Sequence, residues 1–74
     1  MGLMGIVRGQ FPIPAEYGQR VRFHRQPVLH FPELRGEGVF VLAWLGVEEV
    51  WEIVMDDDSR VGLHPCFGDS MEPV

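Results

Sequence analysis

The sequence predicts a small all-β domain of five short strands, preceded by an extended N-terminal arm. The chain has 74 residues, which is enough for a single small domain. Apolar and polar side chains alternate at period two in several segments, as they do in half-buried strands. Nine glycines and six prolines interrupt the chain and leave no stretch suited to a long helix. We therefore expect an arm over residues 1–17 and one β domain over residues 18–74.

The arm contains three glycines and two prolines and shows no sustained apolar period. Its stretch Phe11-Pro12-Ile13-Pro14 favours an extended backbone, because a residue that precedes proline is disfavoured in the helical region. Its apolar side chains require burial, either on this chain or on a partner. These side chains are Leu3, Met4, Ile6, Val7, Phe11 and Ile13.

Each predicted strand is bounded by residues that turn the backbone. On the first strand Val21 and Phe23 alternate with basic residues. The second strand is apolar on both faces and follows the glycine-rich stretch at residues 33–38, which we interpret as a turn. Three aspartates and Ser59 predict another turn, and Pro65 ends the strand after it. The predicted strands cover residues 19–24, 39–45, 47–55 and 60–64, a loop covers residues 25–36, and residues 66–74 hold one helical turn and a last short strand.

Charge and composition exclude several classes of function. Eleven acidic and six basic side chains give a net charge of −5, and no lysine is present. Since nucleic-acid affinity depends largely on cationic side chains, no nucleic-acid partner is expected. No stretch approaches the roughly 20 apolar residues of a membrane span, and no signal sequence is evident, so a cytoplasmic protein without membrane association is expected. The single cysteine excludes an intrachain disulfide framework.

The order of these elements resembles the SH3-like barrel superfamily, whose members are partly open barrels of five strands. Gly18-Gln19-Arg20-Val21-Arg22 resembles the opening strand of the small barrel protein of photosystem I, of the nitrile hydratase β subunit and of plasmid-encoded type II dihydrofolate reductase. Arg35-Gly36-Glu37-Gly38-Val39 is similar to the glycine-x-glycine entry into the second strand of these barrels. The resemblance covers about residues 18–67. It implies an SH3-like barrel with an extended N-terminal arm.

The resemblance to the type II reductases implies an alternative function. Their four subunits line a central pore with a Val-Gln-Ile-Tyr segment followed by proline, and the segment here is similar, with Val61, Gly62, Leu63 and His64 before the proline. Glycine replaces the glutamine, histidine replaces the tyrosine, and the pore lysines have no counterpart. Most polar groups that would hold the cofactor and folate are therefore missing. These four residues are the predicted ligand-binding set of this small-molecule or reductase-like alternative.

Residues able to bind soft metals or act as nucleophiles are few. His24, His30, His64 and Cys66 do not have the spacing of zinc ligands, so neither a metal nor another cofactor is expected. Cys66 follows His64 by two residues, but no third activating group is evident. No catalytic residue is assigned, and enzymatic activity is left open only for the reductase-like alternative.

The main functional prediction comes from the surplus of apolar surface on the second strand. Only one of its two apolar faces can fill a barrel, and we place Val39, Val41 and Ala43 inside. An exposed apolar patch on a small protein usually marks an interface, unless the arm covers the patch within the same chain. The sequence thus predicts a protein-binding or self-associating module, with a homo-oligomer as dimer or tetramer. The predicted partner-binding residues are Phe40, Leu42, Trp44, Val50 and Val54, with Glu48 and Glu52 at an acidic rim.

A further alternative uses the carboxylates of the second half of the chain. Residues 33–74 carry ten of the eleven acidic side chains. A surface with Glu48, Glu49, Glu52 and the three aspartates at 56–58 predicts an acidic antagonist that mimics nucleic acid. Its partner would be a basic, nucleic-acid-binding protein, and their association would weaken with salt.

Overall fold

The computed structural model describes residues 9–74 and confirms the predicted all-β class. Five antiparallel strands form one sheet in the order β4–β3–β2–β1–β5. A short 3-10 turn connects β4 to β5, at the position where the sequence predicts a helical turn and a last strand. The strands are β1 Arg20–Arg25, β2 Leu34–Leu45, β3 Glu49–Met55, β4 Arg60–Leu63 and β5 Ser70–Pro73, and the 3-10 turn is Pro65–Phe67.

Strand β1 has the predicted alternation. Val21 and Phe23 are buried in the core, whereas Arg20 and Arg22 face solvent. Arg22 lies between β2 and β5 and forms ion pairs with a carboxylate on each of them, Glu37 and Glu72. The outer side of β1 is therefore a charged surface that neutralises part of the acidic excess.

Strand β2 begins earlier than the sequence indicates, because the glycines at 36 and 38 belong to the strand and do not form a turn. A Cβ on Gly38 would lie 2.5 Å from the carbonyl oxygen of Val54, so β2 and β3 can approach this closely only with glycine there. A bulge between Phe40 and Leu42 then shifts the register. As a result, Phe40 and Ala43 both face the core, although they are three residues apart.

Because of this bulge, the predicted assignment of residues to the two faces of β2 is wrong. Phe40 was expected outside, but its side chain is fully buried at the centre of the core, and Val39 and Val41 are only partly buried. Strict alternation fails here because one extra residue in a strand inverts the faces of all residues that follow it. The core contains Val21, Phe23, Phe40, Ala43, Trp51, Ile53, Val61, Leu63 and Met71.

The described part of the arm closes one side of this core. Ile13 and Ala15 pack against the core cluster, and the Tyr17 ring contacts the Phe40 ring at a centroid distance of 5.2 Å. The Tyr17 hydroxyl donates to the carbonyl of Ala43 and accepts from its N–H, in place of a paired strand. Residues 9–17 thus contact the inner side of the sheet. Leu3, Met4, Ile6 and Val7 lie outside the described residues.

A buried carboxylate joins the two halves of the sheet near the 3-10 turn. Asp69 accepts hydrogen bonds from the backbone N–H of Gln26, which follows β1, and of His64, which follows β4, each at 2.8 Å. Pro65 ends β4 as predicted, and Gly68, with φ of 90°, reverses the chain after the 3-10 turn. These bonds hold the end of β4 close to the end of β1.

Candidate functional site

The outer face of the sheet, opposite the core, carries the remaining members of the predicted patch. Trp44 lies opposite Val50 on β3, and Leu42 lies opposite Glu52. Val54 pairs with Val39 and completes this face on the side nearer to β1. Leu42, Val54 and Glu52 are partly buried, and Val50 is buried. The structure therefore brings five of the seven predicted partner-binding residues to this face. Phe40 lies in the core, and Glu48 lies in the β2–β3 turn beside Cys66 and His64.

Trp44 is the most exposed apolar residue on this face. Its side chain is 42% exposed. One end of the indole lies on Gly46, where an added Cβ would be only 2.8 Å from the ring. At the other end Nε1 donates to Glu52 Oε2 at 2.7 Å. The indole is thus exposed to solvent but held in one orientation.

Glu52 lies in the middle of the outer face and not at its rim. Its Oε2 accepts from Trp44, and its Oε1 accepts from Arg60 on β4 at 3.0 Å. Because both oxygens are engaged, Glu52 acts mainly as a support for the tryptophan.

The tip of the β2–β3 hairpin is an apolar surface that was not predicted from the sequence. Leu45 is more than half exposed and Val47 is fully exposed. The sequence contains an indication of this surface, because Gly46 between Leu45 and Val47 predicts a turn, and a turn cannot bury both of these side chains. Trp44, Leu45 and Val47 together place exposed apolar surface at this end of the sheet.

Glu48 forms a small cluster with Cys66 and His64. The thiol of Cys66 donates to Glu48 Oε2 at 3.3 Å. Nδ1 of His64 lies 2.8 Å from the same oxygen, close enough for an ion pair but not aligned for a hydrogen bond. Partial desolvation raises the pKa of the Cys66 thiol, and the hydrogen bond and negative charge of Glu48 raise it further. The thiol is therefore held in its protonated, weakly nucleophilic form.

The reductase-like set is split between the two faces of β4. Val61 and Leu63 are buried in the core and cannot line a pore between subunits. Gly62 and His64 face outward, where a Cβ on Gly62 would lie 3.5 Å from Val50 and 4.0 Å from His64 Nε2. Only two of the four predicted ligand-binding residues are accessible to a ligand.

The acidic side chains do not form one continuous surface. Glu49 is buried, and its oxygens accept from Trp51 Nε1 at 2.8 Å and from the N–H of Phe11 at 3.2 Å. Asp56 pairs with Arg20 across the sheet, and this hydrogen-bonded guanidinium lowers the pKa of the Asp56 carboxyl. Hydrogen bonds from Ser59 lower the pKa of Asp57.

Residues 9–74 hold neither a metal cluster nor a membrane-spanning helix. No three histidine, cysteine, aspartate or glutamate side chains in this range are arranged to hold a metal ion. No helix formed by these residues is long and apolar enough to cross a membrane. Comparison with known proteins found no matching family model, no similar curated protein and no similar solved structure.

Proposed function

We propose that this chain is a non-catalytic SH3-like module that binds a protein partner or a second copy of itself through the outer face around Trp44. The observation that supports this most directly is a tryptophan that is exposed and at the same time hydrogen-bonded through its ring nitrogen. Tryptophan is enriched among the residues that dominate binding energy at interfaces. A side chain that is already ordered loses less entropy on association than a mobile one.

The binding surface extends from Trp44 to the hairpin tip. Val47 adds exposed aliphatic area in the turn that follows Trp44. Leu45 adds area at the same end of the hairpin, on the face that it shares with Glu49. Leu42 and Val54 add partly buried area toward the middle of the face. This arrangement, with an aromatic anchor among aliphatic residues and a charged surround, is typical of protein interfaces.

The charge of the molecule favours a basic partner. The net charge of −5 would speed the encounter with a positively charged surface. Glu48 lies close to the tip of the β2–β3 hairpin, and its side chain is about one-third exposed. It is therefore the acidic group best placed to orient that partner by charge.

Neither alternative from the sequence is favoured by a specific contact. A pore lined by Val61 and Leu63 would require core residues to leave the core. A nucleic-acid mimic would need free carboxylates, whereas Glu49 and Asp56 are engaged within the chain. The outer face requires no rearrangement to become an interface.

The test compares three proteins: the wild type, Trp44→Ala and Leu29→Ala. Leu29 is 95% exposed in the loop between β1 and β2, so it controls for the removal of an exposed apolar side chain. Light scattering on a sizing column over a range of concentrations gives the mass of each. We expect an oligomer for the wild type and Leu29→Ala, and a folded monomer for Trp44→Ala.

A monomeric wild type would exclude self-association and leave the foreign-partner form of the proposal. That form is tested by crosslinking in extracts of the source cells, followed by mass spectrometry. A protein captured by the wild type and Leu29→Ala but lost with Trp44→Ala supports it. Equal capture by all three proteins, or an oligomer that survives Trp44→Ala, would refute a role of the Trp44 face.

A further inference from the structure

A second candidate site adjoins the Trp44 face at Gly62 and lies between the β1–β2 loop and the 3-10 turn. It is a cleft of about 310 Å³. Its walls include Val28 and Phe31 from the loop and Phe67 from the turn, and Gly62 and His64 of the β4 region also line it. Phe31 and Phe67 are 59% and 49% exposed. The cleft thus has apolar walls that remain open to solvent.

One cation lines this cleft without an acidic partner. Arg20, Arg22, Arg35 and Arg60 each lie within 4 Å of a carboxylate. Arg25 is the one arginine of residues 9–74 that forms no such ion pair within that range. Its guanidinium instead contacts the Phe31 ring, 5.7 Å from the ring centroid, and donates one hydrogen bond to the carbonyl of Pro32.

The nearby acidic residue does not compensate Arg25. Asp69 also lines the cleft, but its two oxygens accept from the backbone of Gln26 and His64. It lies outside ion-pair distance of the guanidinium, since no such pair forms among residues 9–74. In a chain with almost twice as many acids as bases, an arginine left without a carboxylate in an apolar cleft is suited to an external anion.

The loop that carries Phe31 is closed by its own backbone. Val28 and Phe31 exchange two hydrogen bonds, of 2.9 and 2.6 Å, across the exposed residues Leu29 and His30. Glu33 at the end of the loop binds His24 of β1. These contacts fix the loop on the sheet, so the wall formed by Phe31 is built before a ligand arrives.

We propose that this cleft binds the C-terminal carboxylate of a polypeptide whose last residue is apolar. Arg25 would pair with the carboxylate, while the last side chain would lie between Phe31 and Phe67. The cleft is at the small end of the range for ligand pockets, which suits one residue better than a larger molecule. Strand β4 is at the edge of the sheet formed by the described residues, so the preceding residues of the peptide can pair along it.

The test is an NMR titration with matched pairs of probes. The peptide acetyl-Gly-Gly-Val-Phe is used as the free acid and as its C-terminal amide, beside N-acetyl-phenylalanine alone. We expect the free-acid peptide to shift amide resonances of Arg25, Gly62 and Phe67, with at least tenfold weaker binding for the amide because the charged hydrogen bonds to Arg25 are lost. N-acetyl-phenylalanine should bind more weakly than the peptide.

Three variants test whether the peptide binds in the cleft. Arg25→Gln and Phe67→Ala should each abolish binding of the free-acid peptide, whereas Leu29→Ala should bind it as the wild type does. Arg25→Gln also removes the hydrogen bond from Arg25 to the carbonyl of Pro32 and so can disturb the loop. Phe67→Ala does not touch that bond, so it tests the cleft independently. The proposal is overturned if the acid and the amide bind equally well, or if N-acetyl-phenylalanine binds as tightly as the peptide. It is also overturned if millimolar peptide causes no shifts, or shifts only in other parts of the sheet.

Discussion

Glu52 accepts a hydrogen bond of 2.7 Å from the indole Nε1 of Trp44, a residue of the adjacent strand that lies diagonally across the outer face. Arg60 occupies the other oxygen of the same carboxylate. The three side chains link β2, β3 and β4 on the solvent side, where the core makes no contribution. Their effect is to orient an exposed aromatic ring, and the stability gained from such exposed polar contacts is small.

Replacing Glu52 with alanine should release the Trp44 ring without unfolding the domain. The indole then loses its hydrogen bond and keeps its contact with Gly46, so motion on the nanosecond timescale should increase. The heteronuclear NOE of the Trp44 indole ¹⁵N measures this, and its value should fall while that of the buried Trp51 stays constant. An unchanged Trp44 value would show that the hydrogen bond does not orient the ring.

Glu49 and Glu48 are adjacent, but replacing each with alanine should change the stability of the domain by very different amounts. Glu49→Ala leaves the buried Trp51 N–H without its acceptor, so it should lower the free energy of unfolding by about 2–3 kcal/mol. Glu48→Ala removes a partly exposed carboxylate and should change that energy by about 0.5 kcal/mol or less. Urea denaturation of both variants gives the two values. Similar losses would mean that the Trp51–Glu49 bond contributes little.

The turn between β3 and β4 contains a strained residue. Asp58 has φ of 69°, in the left-handed region that glycine adopts without cost. Asp58→Gly should therefore stabilise the domain by up to about 1 kcal/mol, visible as a higher midpoint in thermal denaturation. Asp57→Gly is the matched control. It should lower the midpoint, because Asp57 accepts hydrogen bonds from the N–H and hydroxyl of Ser59.

Cys66 should react slowly with alkylating reagents at neutral pH, although it is exposed. Desolvation and Glu48 raise its pKa, so less of the reactive thiolate is present at neutral pH than for an ordinary cysteine. Glu48→Gln removes the negative charge and should shift the pH–rate curve for iodoacetamide to lower pH. A curve that does not move with this substitution would leave desolvation as the whole cause.

Local sequence patterns predicted much of the sheet. The alternation at Val21 and Phe23, the aspartate turn and the stop at Pro65 each depend on a few neighbouring residues, and the structure confirms them. The faces of β2 could not be predicted in this way. The bulge that brings Phe40 inside depends on how β2 pairs with β3, which involves residues ten or more positions away.

The same distinction between local pattern and strand pairing applies to the candidate sites. Trp44 and Glu52 were found because an apolar strand next to an acidic one is visible in the sequence, but the bond between them depends on register. Of the cleft at Arg25, only Gly62 and His64 were predicted from the sequence, as part of the reductase-like set, and Arg25 and the loop were missed. Arginines look alike in a sequence, and that Arg25 is the one within residues 9–74 without a carboxylate appears only when the strands are paired.

The position of β1 between β2 and β5 has a consequence for a nascent chain. Although β1 is synthesised first among the strands, it pairs with β5 on one side, and Gln26 just after it depends on Asp69. A ribosome-bound chain that stops before residue 69 therefore presents β1 with one open edge and Phe23 without its neighbour Met71. The described sheet is complete only once β5 has emerged, so β1 keeps an open edge until residues 70–73 are available to pair with it.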